Sequence, residues 1–159
     1  VPTLNQNTTG TAAGLSATLA IASGGTGATT LAGASIVTYT GTETLSNKTL
    51  TNPTVTNYVE TLYTANTGTA ITVSLTNGTV QQLTLTGNAT ITMPTAVAGK
   101  SFIIMLKQDA TGSRSVTWST VVWPSATAPT ITGTASKQDI YSFFSDGTNW
   151  YGTTIGQAY

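Results

Sequence analysis

Eleven of the chain's twelve aromatic residues lie after position 57, so the last two-thirds of its 159 residues must build any sizeable core. Residues 1–57 are Thr, Ala, Gly, Ser and Asn with about ten Leu, Ile and Val, one aromatic (Tyr39) and two charges (Glu43 and Lys48). Ordering a backbone costs on the order of 1–2 kcal/mol per residue. Burying an aliphatic side chain returns about 1.5–3 kcal/mol. So few aliphatic groups do not offset so long a stretch of ordered chain. The segment therefore reads as an extended arm, either disordered in isolation or ordered by entwining with copies of itself or by lying on a larger surface. At ~3.3 Å per residue it reaches roughly 190 Å. Within it, Leu45, Leu50 and Val55 recur five residues apart. That spacing fits neither a strand face nor a helix face, and suits a chain that winds around its neighbours. These three residues are the expected arm interface, with Lys48 at the surface and able to meet Glu43 of another chain. Residues 12–22 could form a short Ala-rich helix, 23–27 a glycine joint, and 35–40 and 43–55 extended pieces.

Charge is scarce throughout. Charged residues make up 6% of the chain, five of each sign, against about 25% in ordinary soluble domains. Five Lys and Arg do not make the basic footprint that nucleic-acid binding needs. There is no His and no Cys, which removes the commonest metal ligands, the usual general base and the thiol nucleophile. No cofactor is expected. No run approaches the ~18 apolar residues of a membrane span, so no membrane insertion is expected either. Residues 1–6 lack the basic and apolar regions of a secretory leader. Val1 in place of an initiator Met means that the initiator is removed or that the chain is part of a longer one. Thr supplies 38 residues. It is β-branched and favours extended backbone, so solubility here rests on hydroxyls and the fold class is all-β.

Residues 58–159 read as a head domain of about ten short strands, near 59–63, 70–75, 80–86, 90–93, 101–108, 115–118, 121–123, 130–132, 137–145 and 150–155. Turn signals separate them. Asn77-Gly78 and Asp146-Gly147 are hairpin dipeptides, because both central positions tolerate positive φ. This spacing predicts a β-sandwich, jelly-roll-like. In the stretch 137–145, Tyr141 and Phe143 face one way, Ile140 and Phe144 the other. A strand apolar on both faces is covered on both. Such a strand sits inside a sandwich or against another subunit; the expectation favours a subunit on one face, with Tyr141 and Phe143 as the head interface.

Motifs for chemistry are weak. Gly99-Lys100-Ser101 lacks the upstream Gly of a phosphate loop, since position 94 is Pro. Glycoside hydrolysis needs two carboxylates flanking a cleft. Asp109 stands at a turn, where it can pair with Arg114 and be worth little if exposed, and Asp139 has no evident partner. No catalytic, cofactor or metal residue is expected. Trp123, ahead of Pro124 in a Ser/Ala/Thr/Pro loop, is the aromatic expected to be most exposed. With Tyr159 it forms the pair of candidate receptor contacts.

Thr42-Glu43-Thr44-Leu45-Ser46-Asn47-Lys48-Thr49-Leu50-Thr51-Asn52-Pro53-Thr54 resembles the TLxNKTLTxP element of tail fibres and other appendages of tailed bacteriophages. Leu4-Asn5-Gln6-Asn7-Thr8-Thr9-Gly10 and Ser23-Gly24-Gly25-Thr26-Gly27-Ala28-Thr29-Thr30 resemble the linkers that precede it. Gly99-Lys100-Ser101-Phe102, Gln108-Asp109, Trp118, Trp123-Pro124 and Asp146-Gly147-Thr148-Asn149-Trp150-Tyr151-Gly152 resemble a β domain that often ends such proteins. The resemblance implies a homotrimeric appendage on the virion surface, bound to other tail or capsid structural proteins. Its outermost head would touch host polysaccharide or protein, and three weak sites would give avidity. It carries over no catalytic residue. Two alternatives remain at this point: a capsid decoration (cement) protein whose arm lies on the lattice, and a bacterial surface adhesin.

Overall fold

The computed structural model describes residues 44–159 except 47. The expected helix at 12–22, the joint at 23–27, the extended piece at 35–40 and Glu43 lie outside the described residues. Residues 44–54, apart from 47, belong to an N-terminal unit and form no strand; Leu45 and Leu50 are exposed there. Val55–Tyr159 forms the second unit.

Nine strands build that unit: β1 Leu62–Asn66, β2 Ala70–Thr72, β3 Val80–Leu85, β4 Ala89–Thr92, β5 Ser101–Gln108, β6 Val116–Ser119, β7 Val121–Val122, β8 Gln138–Ser145 and β9 Trp150–Gly156. Ten short strands were expected; the piece at 130–132 is not one, because its backbone serves side chains instead. Thr130 and Thr132 carbonyls accept from Gln157 and Gln108, and the Thr132 N–H donates to Asp139.

The strands form two sheets, one of six in the order β1-β3-β5-β8-β9-β7 and one of three, β2-β4-β6. β1, β3 and β5 are mutually parallel, as are β2, β4 and β6. β1, β3 and β5 each turn a corner and continue as β2, β4 and β6 in the other sheet. The first six strands are thus three stacked coils. Backbone bonds continue round the corners, with Thr67 N–H donating to Thr84 O at 2.9 Å and Ala89 N–H to Ser115 O at 3.0 Å. β8 and β9 then add an antiparallel hairpin to β5, and β7 pairs parallel with β9.

This corrects the expectation of a jelly-roll-like sandwich. The chain is mostly β with no α-helix among the described residues, but its two sheets are mixed or parallel. Short alternating strands with turns every few residues look alike in both folds. The difference is whether a turn returns the chain to the same sheet. At Asp146-Gly147 it does, and the β8–β9 hairpin forms as expected. At Asn77-Gly78 it does not. There a 3-10 turn, Leu75–Asn77, ends at Gly78, whose φ of 134° carries the chain back from one sheet to the other. A Cβ on Gly78 would overlap the carbonyl of Thr61.

Residues in register stack inside the coils. Ala65, Leu83 and Leu106 form one inward row, and Ile71, Ile91 and Trp118 another. The turns leave polar backbone near this core, and buried Gln side chains satisfy it. Gln81 donates to the carbonyls of Ser74 and Gly78, while Gln108 donates to those of Arg114 and Thr132 and accepts from the Arg114 N–H. Beyond the coils the core is aromatic. Phe102 stacks on Phe143 with ring centroids 4.9 Å apart and meets Trp150 edge-on. Trp150 donates to Pro94 O at 2.8 Å.

Candidate interaction surface

The six-stranded sheet has one face on this core and one outside. Strand alternation assigns the outer set: Leu62, Val80, Ile103, Met105, Ile140 and Phe144 along β1, β3, β5 and β8. Leu62, Val80, Ile103 and Ser142 occupy one register row, and Met105 sits opposite Ile140 in the next. Tyr151 lies beside Phe144 and Val122 beside Tyr151, extending the apolar strip to the far edge. Leu62, Phe144, Tyr151, Val122 and Ile155 are exposed. Contiguous apolar area of this kind marks an interaction site, whereas single exposed apolar residues do not. Charge is confined to the margins. Lys107 shares the end row with Thr84 and Gln138, and Glu60 lies at the opposite end, where it accepts from the Thr79 hydroxyl. Across the face Gln82 donates to Gln138 at 2.8 Å.

Tyr141 and Phe143, expected at a subunit interface, are 0% exposed. They sit inside the chain's own core, against Trp118 and Trp123. The pattern of β8 separated two apolar faces correctly, but the one carrying the heavier aromatic load is the core. The outer face is that of Ile140 and Phe144. Nothing in the spacing within β8 distinguishes the two; the presence of three Trp elsewhere in the domain is the only sequence signal that large rings gather inward.

Trp123 is also corrected, at 7% exposed. Its burial depends on Gly152. A Cβ there would lie 2.6 Å from the Trp123 ring, so the absent side chain is the space the indole occupies. One edge of Trp123 still borders a shallow hollow of about 280 Å3 with Pro124, Thr127, Pro129, Thr153 and Thr154. The indole N–H groups of Trp118 and Trp123 are buried without a partner, and the two rings meet edge-on at 5.4 Å. Tyr159 is exposed, its backbone paired both ways with Gln138. Val55, like Leu45 and Leu50, is exposed.

The acidic side chains hold structure. Asp109 Oδ1 accepts from the N–H groups of Thr111 and Gly112, and its Oδ2 pairs with Arg114 at 2.9 Å, the turn and ion pair the sequence suggests. The Arg114 hydrogen bond leads in lowering its pKa. Asp139 is buried. It accepts from the Thr132 N–H at 2.7 Å, the Ala158 N–H at 2.9 Å and the Tyr141 hydroxyl at 3.1 Å. Burial is the largest influence and disfavours its charge, but the hydrogen bonds from Thr132, Ala158 and Gln157 together outweigh it and hold the carboxyl below the usual range. The same burial, with the adjacent carboxylate, pushes the Tyr141 hydroxyl up. Asp146 caps the β8–β9 turn. The N–H groups of Asn149 and Thr148 and the Tyr151 hydroxyl lower its pKa to about 2. Glu60 and these three aspartates, the four described acids, are thus each engaged. What the arrangement offers a partner is a sheet face of apolar and uncharged polar side chains with charge only at its margins.

A family model described as "Putative phage tail fibre C-terminal domain" matches residues 63–150, from within β1 to the first residue of β9. No curated protein and no solved structure matches the chain.

Proposed function

Because the chain belongs to this phage tail fibre family, and is therefore a component of the virion associated with its tail, we propose that it forms a homotrimeric fibre whose head, residues 58–159, contacts the host surface, with residues 1–57 as shaft. The observation that carries the trimer is the apolar outer face of the six-stranded sheet, which a single chain leaves open to water. Closed rotational symmetry is the ordinary way for identical chains to cover such faces without leaving one free. The scarcity of charge supports a partner of the same composition, because neither side has ions to desolvate. The family match favours a tail position over a capsid lattice, and so a fibre over a cement protein.

Attachment would be multivalent. Three heads held on one shaft turn weak single contacts into firm adsorption through effective concentration. Light scattering on the purified chain is expected to give three times the 16.2 kDa chain mass. The same protein, added to host cells ahead of virions, is expected to lower adsorption, and a monomeric variant to be far less potent per chain. A stable 16.2 kDa species at micromolar concentration removes the trimer. Undiminished adsorption at saturating trimer removes the attachment role.

A further inference from the structure

The lead-in to β1 holds a second unpartnered apolar feature. Val55, Tyr58 and Val59 fall within five residues, and Val59 is 93% exposed. A Val so bare beside a well-packed sheet is an unpaired contact residue more readily than a surface accident, because it comes with an exposed Tyr next to it. The lead-in is held just downstream. Glu60 accepts from Thr79, and the Thr61 carbonyl packs at Gly78.

The outer sheet face carries a matching recess. Glu60, Thr79, Ser101, Phe102, Ile103 and Ser142 line a hollow of about 240 Å3. Its lining mixes the apolar Phe102 and Ile103 with the hydroxyls of Thr79, Ser101 and Ser142 and the Glu60 carboxylate. That combination suits a Tyr side chain, which presents an apolar ring and a polar tip.

Area points the same way. Six strands about 4.8 Å apart, with roughly five residues each at ~3.3 Å, present about 400 Å2 of projected face. A stable pairwise contact takes about 800 Å2 from each partner. The flat face alone is short of that, so the contact must recruit exposed apolar surface outside the sheet, and the lead-in supplies it.

We infer that residues 55–59 of one copy lie on the outer sheet face of the next copy, with Tyr58 seated in the hollow at Ile103 and Ser142. The inference rests on the trimeric reading above and specifies its contact. The interface is heterologous, lead-in to sheet face; such contacts form a ring when the rotation between copies closes, and the trimeric reading sets that ring at three.

The chain has no Cys, so engineered pairs report cleanly. In Tyr58→Cys/Ile103→Cys, oxidation is expected to give dimer and trimer bands on a non-reducing gel, with neither single variant giving the same ladder. A monomer-only band of altered mobility would mean that the lead-in covers its own face, and would overturn the inference. So would the absence of any cross-link. Phe144→Cys alone forming an efficient dimer would mean that faces meet face to face, which also overturns it. As a second reading, Tyr58→Ser leaves the core untouched. It is expected to raise the concentration at which the trimer half-dissociates by at least about tenfold, the effect of losing one buried aromatic anchor. A trimer by light scattering without the ladder sinks this contact while leaving the fibre reading intact; a monomer sinks both.

Discussion

At the scale of single residues, the few charges act as fasteners. Asp146 accepts from two turn N–H groups and from Tyr151 while remaining at the surface. Its folded pKa of about 2 lies below the ordinary aspartate value of 3.8. The stabilisation it provides is therefore complete above pH 3.8 and is lost as pH falls through about 2. Asp109 and Asp139 are lowered too and act in the same direction. The melting temperature should thus be insensitive to these groups between pH 5 and 7, in the sense of linkage, and should drop as acid protonates them. Asp146→Asn should lower the melting temperature at pH 6 and make the acid decline shallower, because one linked proton is removed. An unchanged acid slope in that variant would show that Asp146 does not contribute.

At the scale of elements, β8 and β9 show how one missing side chain admits a large one. Phe143 on β8 stands opposite Gly152 on β9, and Trp123 fills the space above the glycine. Gly152→Ala puts a methyl into the Trp123 and Val121 side chains. Overpacking of a filled core typically costs about 1–3 kcal/mol. Urea denaturation of Gly152→Ala is expected to show a loss in that range, with Trp fluorescence altered in the folded state. A neutral result would mean that Trp123 can shift freely and that its burial is not tied to β9. The coil corners follow a different logic. Gln81 and Gln108 replace ladder bonds where the backbone turns, which makes these buried amides part of the coil rather than polar intruders in its core.

At the scale of the whole molecule, the second unit contains the core cluster, both sheets and the outer face. A fragment of residues 55–159 is therefore expected to keep the β circular dichroism of the full chain and to unfold cooperatively. Loss of cooperative unfolding in the fragment would make residues 1–54 part of the folding unit and would overturn the division into arm and head. The trimer itself should tolerate salt well, because its proposed surfaces carry charge only at their margins, and screening acts on exposed charges.

Composition alone determined that the aromatic-rich part of the chain is β, that the core of the described residues lies after residue 57 and that the chain has no His and no Cys. Those conclusions depend on which residues are present, and Thr, the aromatics, His and Cys can be counted in order. The 101–108 strand, the Asp146-Gly147 hairpin and the Asp109–Arg114 turn were also legible, because each is made by residues near one another in sequence. Tertiary structure alone decided the sheet to which each turn returns the chain, and so parallel coils in place of a jelly roll. It decided which side of β8 is core, sending Tyr141 and Phe143 inward and leaving Ile140 and Phe144 outside. It decided that Trp123 is buried, through a glycine 29 residues away. The reason is common to all three. Alternation tells two faces apart, but the face that is buried depends on what arrives from distant strands to cover it.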